Sequence, residues 1–145
     1  MDLSGLKWPL IILVVVGVGW LASSGGVNYM VTSFTKATPG ADAAKDATDE
    51  AGLTRVGGYL MYLLRYEKAA GVMQLAIDRY GTTGKNYWYN QYRIAKCLEK
   101  MGQPQMGYNV LQELIAADAR QYDDRIPNLD VLRARASKLK EVNGF

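Results

Sequence analysis

Few residues in this chain are able to do chemistry, and the missing ones are as informative as those present. There is no histidine and a single cysteine, Cys97. Without His there is no imidazole general base, no His-paired nucleophile and no histidine ligand for a metal or haem. One Cys makes neither an internal disulfide nor a Cys-rich metal site. Beside Leu98 in a helical pattern, Cys97 reads as a small core residue. Asp123-Asp124 is a weak cation site, and Tyr122-Asp123-Asp124 reads instead as the end of one helix leading into the next. No glycine-rich phosphate loop, paired catalytic carboxylates or nucleophile elbow occurs. The expectation is a non-enzyme that needs no cofactor and no metal.

What remains is the chemistry of contact. Eight of the ten tyrosines lie between Tyr59 and Tyr108. Trp88, inside Asn86-Tyr87-Trp88-Tyr89-Asn90, suits an interface anchor or packing between helical hairpins. Arg133, Arg135, Lys138 and Lys140 make the last helical segment basic. That segment fits an acidic partner or anionic headgroups, or simply a solvated face over a buried apolar stripe. The net charge of +3 is too small to imply nucleic acid.

These residues need elements to position them. Trp8 to Thr35 holds no charged side chain. The run from Trp8 to Tyr29 rises about 31 Å as a helix, enough to cross ~30 Å of hydrocarbon with an aromatic at each interface. Pro9 is expected in the first helical turn, where its missing donor costs nothing. A signal peptide or a buried soluble helix are the competing readings; no Cys follows the run to serve as a lipid anchor. An uncleaved single span is expected, with residues 1–34 as head (Asp2, Lys7) and transmembrane helix. Gly19, Ala22, Ser23 and Gly26 form two small-xxx-small pairs, a candidate helix-packing face. Gly25-Gly26 equally suits an early helix end near Trp20 or Ala22. Lys7, the one base ahead of the span, favours a cytoplasmic N-terminus and an external C-terminal domain.

Residues 35–50 carry four acids against two lysines, with Pro39-Gly40 and no large apolar side chain after Thr35. They read as a solvated linker, or a weak helix in their second half. From 51 to 145 the pattern is helical and carries fourteen bases against nine acids. Leu53, Val56, Gly57, Leu60 and Leu64 recur at helical steps; so do Ala69, Val72, Met73, Ala76 and Ile77. Ile94, Ala95, Leu98 and Met101 face inward in a third helix, then Met106, Val110, Leu111, Leu114 and Ile115 in a fourth. Pro127 opens a last helix with Leu129, Leu132, Ala136 and Leu139 inward. The fold class is all-α: one N-terminal transmembrane helix, then stacked helical hairpins.

The hairpins repeat. Val56 aligns with Ile94, Gly57 with Ala95, Leu60 with Leu98, Ala69 with Gly107, Met73 with Leu111 and Ile77 with Ile115, an offset of 38 residues. A small residue in each helix permits a close crossing, while large ones fill the groove between hairpins. The pattern resembles the tetratricopeptide (TPR) repeat over Ala51–Ala117, with Leu129–Val142 as the solvating end helix. It departs from that family in its opening positions (Leu53, Gln91), in Leu114 at a usually small position, and in its missing closing prolines. In TPR proteins the first helix of each pair lines a concave binding face. The resemblance places Met61, Tyr62, Tyr89, Tyr92, Lys96 and Lys100 there, and such a face suits an acidic or C-terminal carboxylate peptide. Alternatively these tyrosines fill interhelical grooves.

The layout is similar to single-span, TPR-bearing ancillary subunits of bacterial envelope complexes, such as the one accompanying the Sec translocon. It implies a non-catalytic scaffolding subunit in a bacterial inner membrane, its domain periplasmic. Its partners would be the bilayer and other subunits of a larger membrane complex, not nucleic acid or a small molecule. A membrane-anchored, chaperone-like peptide binder is the alternative.

Overall fold

The computed structural model describes residues 4–145; Asp2 and the rest of the expected head before Ser4 lie outside the described residues. Seven α-helices and two short 3₁₀ turns account for the architecture, with no strand among the described residues. The order is α1 (Ser4–Ala22), α2 (Ser24–Ser33), α3 (Ala43–Tyr62), α4 (Tyr66–Tyr80), α5 (Tyr87–Lys100), α6 (Pro104–Ala116) and α7 (Leu129–Asn143). The all-α expectation is met.

One helix, over Gly5–Ala22, is long and apolar enough to cross a membrane, and none of it is buried against the domain. Pro9 lies inside this helix rather than in its first turn, so the Gly5 carbonyl loses its usual partner. Of the two expectations, the early end is the one found: α1 stops at Ala22 and the chain breaks at Ser23 rather than continuing as one helix to Tyr29. The Ser23 backbone is extended (φ −72°, ψ 163°), and its hydroxyl accepts the Gly26 N–H at 3.3 Å, capping α2. Gly26 therefore lies beyond the break. A Cβ there would strike the Trp20 carbonyl, so this glycine permits a sharp fold-back between α1 and α2. Trp20 and Tyr29 meet across the corner with ring centroids 5.9 Å apart.

α2 belongs to the soluble body. Val27 is fully buried, and Met30, Val31 and Phe34 pack on the core beside it. Gly52 on α3 leaves room for the Phe34 ring. The linker is shorter than residues 35–50, because α3 starts at Ala43. The Asp42 carboxylate caps it by accepting the Ala44 N–H at 2.9 Å. Asp49 and Glu50, expected in solvent, are buried; Asp49 receives the Lys45 ammonium at 2.6 Å.

From α3 onward each helix packs antiparallel-fashion on its sequence neighbours, as consecutive hairpins. Repeat-related residues share their environments. Leu60 and Leu98, Met73 and Leu111, and Val56 and Ile94 are all buried pairs. The close crossings use the expected small residues with the glycine exchanged between helices. Gly57 of α3 faces Met73 of α4, and Gly107 of α6 faces the Ala95 carbonyl of α5. One core unites α2 to α5; a second, around Leu111, Leu114, Ile126 and Leu132, unites α5 to α7. Cys97 is buried in the first, and burial pushes its thiol pKa up.

Two inward expectations fail. Met106 is exposed on α6. Leu64 falls outside α3 altogether: it occupies the α3–α4 turn with φ 57° and is 71% exposed. The turn closes by Leu64 N–H donating to the Met61 carbonyl and Arg65 N–H to Leu60. This is the geometry of a left-handed helix terminator, which favours glycine, filled here by leucine.

Candidate functional site: a basic, tyrosine-walled groove

The first helices of the two hairpins, α3 and α5, are joined by a polar seam. The Glu50 carboxylate accepts the Asn86 backbone N–H at 2.9 Å and its side-chain amide at 2.7 Å. One helical turn on, buried Asn90 donates to the Thr54 hydroxyl at 3.0 Å. Next, the Arg93 guanidinium donates to the Thr54 carbonyl at 3.1 Å and comes close over Gly58, where a Cβ would meet its Nη2 nitrogen. The seam fixes the separation and rotation of the two helices, so the residues beyond it project into one groove.

That groove holds about 360 Å³ and is lined by Gly58, Met61, Tyr62, Tyr66, Tyr89, Arg93, Lys96, Lys100 and Arg135. No carboxylate is among its lining residues. Two guanidinium groups approach the Tyr89 ring, Arg125 at 4.0 Å and Arg93 at 4.9 Å from its centroid. Arg125 arrives from the α6–α7 loop, held by Asp123 at 2.6 Å and by the Asn86 side chain at 2.8 Å. The same contact holds the Asp123 carboxyl below its ordinary range, chiefly through the Arg125 hydrogen bond. Burial lowers the Arg93 pKa, opposed by Tyr89.

Of the residues expected on the binding face, Met61, Tyr62, Tyr89, Lys96 and Lys100 converge here. Tyr92 does not line the groove. It packs on the second core, with the Lys96 ammonium 5.5 Å from its ring centroid. Trp88 is turned away as well, stacked on Tyr122 at 5.5 Å and edge-on to Tyr87 at 4.9 Å. Arg93 joins the residues that line the groove, and its position one turn after Tyr89 is its only signal in the sequence.

The basic end helix divides. Arg135 turns inward to a bidentate pair with Glu99, at 2.8 and 2.9 Å, and reaches the groove rim. Arg133, Lys138 and Lys140 remain in solvent. The small residues of the apolar segment divide too. Gly19 faces open space on α1, Ala22 and Ser23 are half-buried at the corner, and Gly26 is buried within the chain. They do not form one continuous helix face. Asp123 and Asp124 make no cation cage, because Asp123 is occupied by Arg125.

No protein-family model matches this chain, nor does any curated protein or solved structure.

Proposed function

We propose that this chain is a membrane-tethered, non-catalytic interaction subunit that holds an acidic segment of a partner protein. α1 is its anchor, and the TPR-like hairpin stack presents the groove. The observation that carries this reading is the lining: Arg93, Lys96 and Lys100 stand beside Tyr62, Tyr66 and Tyr89 with no carboxylate among the lining residues, while Arg135 at the rim is paired with Glu99. Such a surface selects carboxylates through charge and holds side chains or backbone against tyrosine faces. The scale of the groove suits a few residues of extended peptide rather than a folded face. Scaffolding within a larger bacterial envelope complex is the setting that the layout implies.

The test uses the full chain in detergent and a fluorescent acidic peptide ending in a free carboxylate, followed by anisotropy. Replacing both Lys96 and Lys100 by Ala should weaken binding about tenfold, taking under ~1 kcal/mol for each partly solvated charge. Tyr89→Ala should cost ~2 kcal/mol or more if that ring is an anchor. Tyr122→Ala, outside the groove, should have no effect. Wild-type protein that ignores the peptide, or variants that bind it equally well, would defeat the reading.

A further inference from the structure

The α3–α4 turn carries an exposed apolar tip that the groove does not use. Leu63 and Leu64 follow Tyr62, and all three side chains are exposed. Leu64 holds the left-handed conformation (φ 57°) that glycine would adopt freely. Such a residue, with its side chain extended into solvent, points to a role for the side chain itself.

The position of the tip identifies what it meets. The next residue, Arg65, donates from its guanidinium to the Ala22 carbonyl at 2.7 Å, and reaches the Ser24 hydroxyl at 3.5 Å. Ala22 is the last residue of α1. Arg65 thus meets the negative end of the apolar helix and ties the turn to it. If α1 crosses the bilayer, its 19 residues span about 28 Å, so Ala22 lies where hydrocarbon of ~30 Å gives way to headgroups. Trp20 and Tyr29, paired at the same corner, are the residue types of that boundary. A headgroup layer of about 5–8 Å per leaflet is comparable to the reach of one side chain. Lys68 stands in the first turn of α4, and a cleft beside the tip is lined by Leu64, Arg65, Tyr66, Glu67, Lys68 and Met101, two bases to one acid. Apolar residues flanked by bases complement an anionic lipid surface.

We propose that Leu63 and Leu64 insert into the lipid interface around the emerging end of α1, giving the domain a second membrane contact. The turn then fixes the tilt of the hairpin stack over the bilayer, so the groove is held at a set height. The inference rests on α1 being a membrane span, and the experiment separates the two.

The full chain, in a Cys97→Ala background, is reconstituted into phosphatidylethanolamine–phosphatidylglycerol vesicles. Single cysteines replace Leu64, Thr82 in the 3₁₀ turn beyond the far end of α4, or Val15 in α1, each labelled with an environment-sensitive fluorophore. The Leu64 probe should be blue-shifted and quenched by a lipid spin-labelled near the headgroup. The Thr82 probe should be quenched only by aqueous iodide, and the Val15 probe by lipid labels alone. Leu64→Asp, which tolerates the left-handed turn, should remove lipid quenching from a probe at Leu63 without loss of helix content. A Leu64 probe open to iodide while Val15 is in lipid overturns the tip. So does one shielded from iodide yet unaffected by the spin label, since a protein partner then covers it. A Val15 probe open to water overturns the anchor itself, and the tip with it.

Discussion

Adding one methyl group to different glycines measures how closely the hairpin helices cross. Gly57 and Gly71 lie in α3 and α4, and both are helical. At Gly71 nothing lies within 4 Å of an added Cβ, whereas at Gly57 the Cβ would sit 2.5 Å from Met73 Cγ and 3.2 Å from its sulfur. Each Gly→Ala change gains about 1 kcal/mol of helix propensity. At Gly71 that gain is unopposed. At Gly57 it meets an overpacking cost of ~1–3 kcal/mol, because Met73 is itself wholly buried and has no room to swing clear. The difference between the two variants cancels propensity and leaves the crossing, about 2 kcal/mol. For a domain of this size that is a gap of roughly 8 °C in midpoint. Gly107→Ala should fall between them, since its Cβ would meet the Ala95 carbonyl at 3.2 Å and Glu99 Cγ at 3.3 Å. Thermal unfolding followed by far-UV circular dichroism in detergent ranks the three. A Gly57→Ala protein stabilised as much as Gly71→Ala would refute the close crossing of α3 and α4.

Four further outcomes are expected. Glu99→Gln should cost about 1–2 kcal/mol by loosening α7 from α5, yet tighten acidic-peptide binding by releasing Arg135 toward the groove; denaturant unfolding and anisotropy read the two effects separately. Leu64→Gly should relieve left-handed strain and raise stability in detergent by up to ~1 kcal/mol, again by denaturant unfolding. Because Asp123 has a depressed pKa, it contributes stability above its unfolded value of about 3.9, lost as pH falls through the lower folded value. Asp123→Asn should therefore flatten the acid limb of a stability–pH curve. Cys97 should react with a thiol reagent only on unfolding, since burial both hides the thiol and raises its pKa; rapid labelling of native protein would contradict this.

The helices were legible because their signals are local and periodic. Leu53, Val56 and Leu60 recur at helical steps, Gly81 and Gly84 stop α4, and Pro104 opens α6. The hairpin repeat was legible too, since a 38-residue offset preserves small and large residues alike. The groove was half legible. Tyr89, Lys96 and Lys100 follow one helix face, but Arg93 has no distinctive pattern, and its role depends on Gly58 of another helix. Trp88 and Tyr92 take the packing alternative of their two readings, because aromatics suit cores and interfaces equally and only the rotation of α5 separates them. Leu64 continued a helical pattern in sequence, yet the chain ended α3 at Tyr62 and turned it outward.

The sequence by itself determined the inventory: no histidine chemistry, an apolar helix long enough to cross a membrane, and repeated hairpins with small residues at their crossings. These follow from residue type and spacing along one chain. Tertiary structure decided the docking of α2 on the domain, the burial of Glu50 against Asn86, and the turn of Arg135 toward Glu99. It also set the Leu64 tip beside the end of α1. Each of these depends on contacts between residues distant in sequence. The energy of a buried carboxylate or a left-handed leucine is set by the partner across the gap, and local periodicity carries no record of that partner.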